Sequence, residues 1–113
     1  MNCNCNPNIT INAGGQPYIA NTQVTVGTES VNIDLGWRRI QPIGYFTIRI
    51  ENPIPADATA TLPINLTLNG ITRPLLLPNG DPVTVATILN VSVMEVLNDK
   101  WNNILALMSR TIV

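Results

Sequence analysis

The chain has no histidine among its 113 residues, and it is poor in the other groups on which chemistry relies. Charged residues make up 12% of the sequence, aromatic residues 4%, and only two cysteines are present, at Cys3 and Cys5. Without histidine the chain lacks the side chain that most often moves protons near neutral pH. The remaining candidates form no motif. Ser30, Ser92 and Ser109 are the only serines, and none sits in a nucleophile-elbow setting. The carboxylates Glu29, Asp34, Glu51, Asp57, Asp81, Glu95 and Asp99 are scattered singly, mostly where strands end or turns are expected. Gly14–Gly15 and the Asn–Gly pairs lack the strand, glycine loop, helix and following Lys-Ser or Lys-Thr of a phosphate loop. Catalysis is therefore not expected, and no cofactor is implied.

Charge of either sign is scarce: six cations face seven anions, for a net charge of −1. That balance supplies no basic field for nucleic acid or for an anionic membrane surface. Long apolar runs are missing too. Leu75–Leu77 and Ile104 to Met108 fall far short of a membrane span. Met1 to Tyr18 has neither a charged start nor an apolar run, so no signal peptide or anchor is expected and the reading is a soluble chain made in a cytoplasm. Cys3 and Cys5 are separated only by Asn4, a spacing at which a strain-free disulfide is hard to form. A metal site would need further ligands, which the absence of histidine makes scarce. Two thiols on a flexible arm are the favoured reading, with capture of a neighbouring chain by disulfide or metal as the alternative.

Against these absences stands an aliphatic surplus. Hydrophobic residues make up 45% of the sequence, so the core has to be built from Ile, Val and Leu, and β-branched cores favour strands. Asn and Thr fill the polar positions, giving a neutral surface that is cheap to bury against a neighbour. One domain is expected, with residues 1–17 as an irregular Asn-rich arm holding at most a short strand at Asn8–Asn12, and residues 18–113 as the folded unit.

Val24 and Val26 and then Val31, Ile33 and Leu35 read as two short strands joined by a turn. Tyr45 to Glu51 alternates strictly, with Phe46, Ile48 and Ile50 on one face. Asn52–Pro53–Ile54–Pro55 then forces a loop. Asn69–Gly70 between alternating apolar runs signals a type I′ hairpin over Thr61–Leu77. That turn sets Leu68 opposite Ile71, Leu66 opposite Arg73, Ile64 opposite Leu75 and Leu62 opposite Leu77. Pro63 and Pro74 fit inside such a hairpin but hinder pairing on its outer sides, so it is expected to blunt one or both sheet edges. Thr84 to Asn90 reads equally as a helical turn or a strand. In Val91 to Met108 a helical spacing of Met94, Leu97, Trp101, Ile104, Leu105 and Met108 competes with a hairpin of Val91–Leu97 and Ile104–Ser109. The hairpin is favoured because Asn98, Asp99, Asn102 and Asn103 are weak helix formers. The sum is an all-β domain of about seven strands, a sandwich or a small barrel.

Trp37–Arg38–Arg39 stands out in a glycine-bounded loop, because Trp and Arg are enriched at interface hot spots. The plainer alternative has Trp37 plug the core end while the arginines are solvated or pair with Asp34 and Glu51. Sugar stacking through Trp37, Tyr45 or Trp101 is a further possibility, since exposed rings serve either purpose.

The Asn- and Thr-rich strands, the stretch Ile64–Asn65–Leu66–Thr67–Leu68–Asn69–Gly70–Ile71–Thr72–Arg73–Pro74–Leu75–Leu76, and the closing Val93–Met94–Glu95–Val96–Leu97–Asn98–Asp99–Lys100–Trp101–Asn102–Asn103–Ile104–Leu105 cover about half the chain. In these the sequence resembles small auxiliary or decoration proteins on the capsids of crAss-like tailed bacteriophages infecting Bacteroidota. The resemblance implies an Ig-like β-sandwich bound in many symmetric copies to the major capsid protein and neighbouring virion proteins, on the capsid surface. A tail, neck or fibre component and a glycan-binding module are the alternatives. Partner contact is then expected at Trp37, Arg38 and Arg39 and on the arm residues Asn2, Cys3, Asn4 and Cys5, the arm ordering against the partner.

Overall fold

The structure, a computed structural model, describes residues 10–11, 17–40 and 43–112. Among these residues it is all-β with a single one-turn helix. The strands are β1 (Thr10–Ile11), β2 (Pro17–Ala20), β3 (Gln23–Val26), β4 (Val31–Asp34), β5 (Ile43–Arg49), β6 (Ile64–Leu68), β7 (Ile71–Leu76), β8 (Val91–Asp99) and β9 (Ile104–Ile112), with α1 (Val85–Ile88) before β8. They form one sheet in the order β1-β2-β5-β8-β9-β7-β6-β4-β3. The count exceeds the expected seven because β1 and β2 lie in and just beyond the stretch read as an arm. Of that arm, residues 1–9 and 12–16 lie outside the described residues, and with them Asn2, Cys3, Asn4 and Cys5. No helix among the described residues is long and apolar enough to cross a membrane.

Connectivity dictates the shape of the sheet. Only Asn21 and Thr22 separate β2 from β3, yet seven inter-strand steps lie between those strands in the sheet. Laid flat, at about 4.8 Å per step, they would stand about 34 Å apart. The three Cα–Cα steps from Ala20 to Gln23 reach about 11 Å at most. The sheet must therefore curl until its two ends meet at this corner, in the direction that strand twist already favours. Main-chain bonds tie the corner to both ends: the Asn21 N–H donates to the Arg49 carbonyl and the Thr22 N–H to the Asp34 carbonyl.

The curl encloses one core. Val31 and Ile33 of β4, Phe46 and Ile48 of β5, Ile64, Leu66 and Leu68 of β6, and Met94 and Val96 of β8 alternate inward, and Val83, Val85 and Ile88 close the space. Full burial of each such side chain contributes about 1.5–3 kcal/mol. Thr84–Asn90 resolves into a bridge at Thr84 followed by α1, which buries Val85 and Ile88. The C-terminal segment is the favoured hairpin, longer than expected at Val91–Asp99 and Ile104–Ile112, with register shifts between Val91 and Val93 and between Glu95 and Val96. Its weak helix formers make the turn: the Asp99 carboxylate accepts from the Asn102 N–H and Nδ2, and Asn103 adopts a φ of 57°.

The Asn69–Gly70 hairpin is present, with φ of 54° and 78° at its centre and with Leu68–Ile71 and Leu66–Arg73 in register. Two further expectations for it fail. Pairing stops at Asn65–Pro74, because Val83 wedges between the strands: the Ile64 N–H donates to the Val83 carbonyl and the Val83 N–H to the Leu75 carbonyl. Ile64–Leu75 and Leu62–Leu77 are therefore not pairs. Nor does the hairpin blunt an edge, since β6 pairs with β4 and β7 with β9. The prolines permit this by position. Pro63 precedes β6, and Pro74 marks where β7 leaves β6 so that Leu75 and Leu76 pair with Leu105 and Ala106 of β9.

Candidate functional site

Three connections meet at one end of the curled sheet: the loop around Trp37–Ile40, the β6–β7 turn and the β8–β9 turn. Asn69 joins the first two. Its main-chain N–H donates to the Gly36 carbonyl, its Oδ1 accepts the Arg38 N–H at 2.6 Å, and its Nδ2 donates to the Arg38 carbonyl at 2.8 Å. The carboxamide thus acts on Arg38 as a neighbouring strand would, satisfying both main-chain groups. This holds Trp37 over the turn, with its ring carbon Cζ2 only 3.2 Å from where a side chain on Gly70 would begin.

The three predicted loop residues have separate fates. Trp37 is 71% exposed and does not plug the core. Arg38 is half-buried, and its guanidinium donates to the carbonyls of Leu35 and Ala20, fastening the loop to the end of β2. Arg39 is exposed. Of the carboxylates considered for the arginines, Asp34 accepts the Gly36 N–H and Glu51 pairs with Arg49.

Between these loops lies a cavity of about 250 Å³ lined by Ile40, Leu68, Asn69, Ile71, Arg73, Asn98, Lys100 and Asn103. It is the mouth of the curled sheet, a common place for binding sites in barrel-like folds. Arg73 is its principal charge and went unnoticed in the sequence. Alternation with Ile71 and Leu75 opposite Leu66 already placed it on the apolar face, and a lone charge at such a register was the signal available. The side chain is only 6% exposed. Its Nη2 donates to Asn98 Oδ1 at 2.8 Å, and its Nη1 reaches the Ile104 carbonyl at 3.5 Å, a contact at the limit of a hydrogen bond.

Arg73 faces the core because of register, and β9 leaves it room. Parallel pairing sets Leu75 beside Leu105, so two residues earlier Arg73 lies level with Asn103, just before β9 begins. Among the described residues no carboxylate lines the cavity, and the one ion pair among them is Arg49–Glu51, elsewhere on the surface. Burial pushes the Arg73 guanidinium below its ordinary value, because its cationic form loses hydration without gaining a counter-charge. Lys100 adds a second cation at the rim.

Exposed apolar side chains surround this mouth. Trp37 and Ile71 stand at its β6–β7 side, and Trp101 lies in the β8–β9 turn, 78% exposed, between Lys100 and Asn103. Ile43, opposite Asp99 in the β5–β8 ladder, is exposed beside that turn. Comparison with protein-family models, with curated protein sequences and with solved structures finds no match to this chain.

Proposed function

We propose that this chain is a structural protein that works by binding other proteins rather than by catalysis, and that the mouth of the curled sheet is its contact surface. The observation that carries the reading is the gathering of exposed Trp37, Ile43, Ile71 and Trp101 around a cavity holding a buried cation. Large apolar side chains ringing a desolvated charged centre are the composition of an interface hot spot. Following the resemblance in its sequence, the partner is the major capsid protein of a tailed phage, bound in many copies on the virion surface. The sheet is then a sandwich of Ig-like kind, its two layers meeting in β7, which pairs with β6 as far as Pro74 and with β9 from Leu75. Size-exclusion chromatography with light scattering, with phage particles of the chain's own source, tests this. Stoichiometric binding that Trp37→Ala and Trp101→Ala together abolish is expected. A chain that stays monomeric and ignores the particles overturns the reading.

A second reading is glycan recognition, favoured by the position of Trp37 and Trp101 beside a cavity with three asparagine amides. Binding on a glycan array that Trp101→Ala removes would support it over assembly.

A further inference from the structure

The guanidinium of Arg73 offers five N–H groups. One meets Asn98 and one makes the long contact to Ile104, leaving three without an acceptor among the described residues. A cation nine-tenths buried with most of its donors unspent is a costly arrangement, since hydrogen bonds to an ion are strong and leaving them unmade is expensive. Lys100, Asn69, Asn98 and Asn103 share the cavity wall with it, while Ile40, Leu68 and Ile71 supply apolar surface. The Asp99 carboxylate, next in sequence to Asn98, is turned to Asn102.

We propose that this cavity is a carboxylate subsite, in which the Arg73 fork and Lys100 receive the side-chain carboxylate of a glutamate or aspartate from the partner protein. This rests on the reading of the chain as a protein-binding module and names the chemistry of the contact. A planar guanidinium matches the two oxygens of a carboxylate, and charge-assisted pairs of this kind are the strong ones. The apolar wall of Ile40, Leu68 and Ile71 suits the methylene stem of such a side chain, and the exposed tryptophans around the mouth would exclude water from the pair. Two cations and, among the described residues, no lining carboxylate give the pocket a positive field in a chain whose net charge is −1.

The test is an NMR titration of the isolated chain with N-acetyl-glutamate N-methylamide, its glutamine counterpart and D-glucuronate. The glutamate probe should shift the resonances of Ile71, Arg73, Asn98 and Lys100 saturably, with a dissociation constant on the order of 1 mM, as small fragments do. The glutamine counterpart should bind at least tenfold more weakly, as should the glutamate probe to Arg73→Met. Lys100→Gln, in an exposed turn, should weaken the glutamate probe several-fold and serves if Arg73→Met does not fold. Equal affinity for the two amino-acid probes, or full binding by the variants, overturns the subsite. Glucuronate binding tenfold or more tighter than the glutamate probe would overturn the protein side chain as occupant and assign the pocket to an acidic sugar. Because the titration needs no particle, its failure is distinct from failure of the chain to join an assembly.

Discussion

Asn21 and Asn52 hold each other at the corner where the sheet closes on itself. Asn21 Oδ1 accepts the N–H groups of Glu51 at 2.8 Å and Asn52 at 3.0 Å, while its Nδ2 donates to the Asn52 carbonyl at 2.7 Å. Asn52 Nδ2 reaches back to the carbonyls of Asn21 at 2.9 Å and Thr22 at 3.2 Å. Strand pairing cannot satisfy these groups, because here the chain leaves β2's ladder with β5 for β3's ladder with β4. Two side-chain amides supply the missing partners.

Asn21 should accordingly be among the most sensitive polar positions in the fold. It is 2% exposed, so Asn21→Ala would remove the partner of two N–H groups and a carbonyl that it meets in part-buried bonds. At about 1–3 kcal/mol for leaving a buried group unmet, and with some relaxation, the loss should be about 2–4 kcal/mol. Asn52 is exposed, and Asn52→Ala should cost about 1 kcal/mol because water can replace its amide. Urea denaturation monitored by circular dichroism measures both. Near-equal, small effects would mean that the corner contributes little to closing the sheet.

Asn69 combines two roles that substitution can separate. Its φ of 54° fits the turn, and its carboxamide clamps Arg38. Asn69→Gly preserves the backbone freedom but removes the clamp, so it should lower stability by about 1–2 kcal/mol, two modest hydrogen bonds' worth. It should also raise the mobility of Trp37, read as a fall in tryptophan fluorescence anisotropy. Gly70→Ala acts differently: at φ 78° any side chain is strained, and its Cβ would press on Trp37 at 3.2 Å. A loss of about 1–3 kcal/mol is expected there from strain of this kind. An unchanged anisotropy in Asn69→Gly would show that Trp37 does not depend on the clamp.

Sequence pattern was a good guide wherever structure is local and a poor one wherever it is made by distant chain. The Asn69–Gly70 turn and the alternation of Phe46 and Ile48 are properties of a few consecutive residues, and both are found as expected. Pro17–Tyr18–Ile19–Ala20 carries little pattern of its own. It is a strand because it lies parallel to Thr47–Arg49, about thirty residues on. The wedge of Val83 into the hairpin is of the same kind. At the candidate site, the inward register of Arg73 was legible, but its setting was not. Asn98 and Ile104 come from 25 and 31 residues away. The tie of Arg38 to Ala20, 18 residues back, was equally hidden, and it turns a candidate contact residue into a fastening of the loop.

Arg73 provides the sharpest separation of stability from function. A side chain serving the fold should be costly to remove, whereas a buried cation kept for a partner should not be. Arg73→Met fills similar volume and removes the desolvation penalty, while leaving one oxygen of Asn98 without this donor. These effects oppose one another, so the variant should lie within about 1 kcal/mol of the parent, as buried charges replaced by well-packed apolar side chains often do. Thermal and urea unfolding give the comparison. A loss of about 3 kcal/mol or more would make Arg73 a structural brace between β7 and β8.

The tryptophans should show the complementary behaviour. Trp37 and Trp101 are 71% and 78% exposed, so each indole surrenders little buried area when truncated. Surface substitutions away from special backbone positions usually change stability by about 0.5 kcal/mol or less. Trp101→Ala should fall in that range, and Trp37→Ala slightly above it because its ring rests on the Asn69–Gly70 turn. If the mouth of the sheet is the contact surface, the same substitutions should weaken partner binding by about 2 kcal/mol or more each, the scale of interface hot spots. Measured together, small losses of stability with large losses of binding would mark rings held at the surface for recognition. Losses of stability as large as those of binding would show instead that the indoles support the loops beneath them, and the search for a contact surface would move to the exposed outer face of β5 at Tyr45.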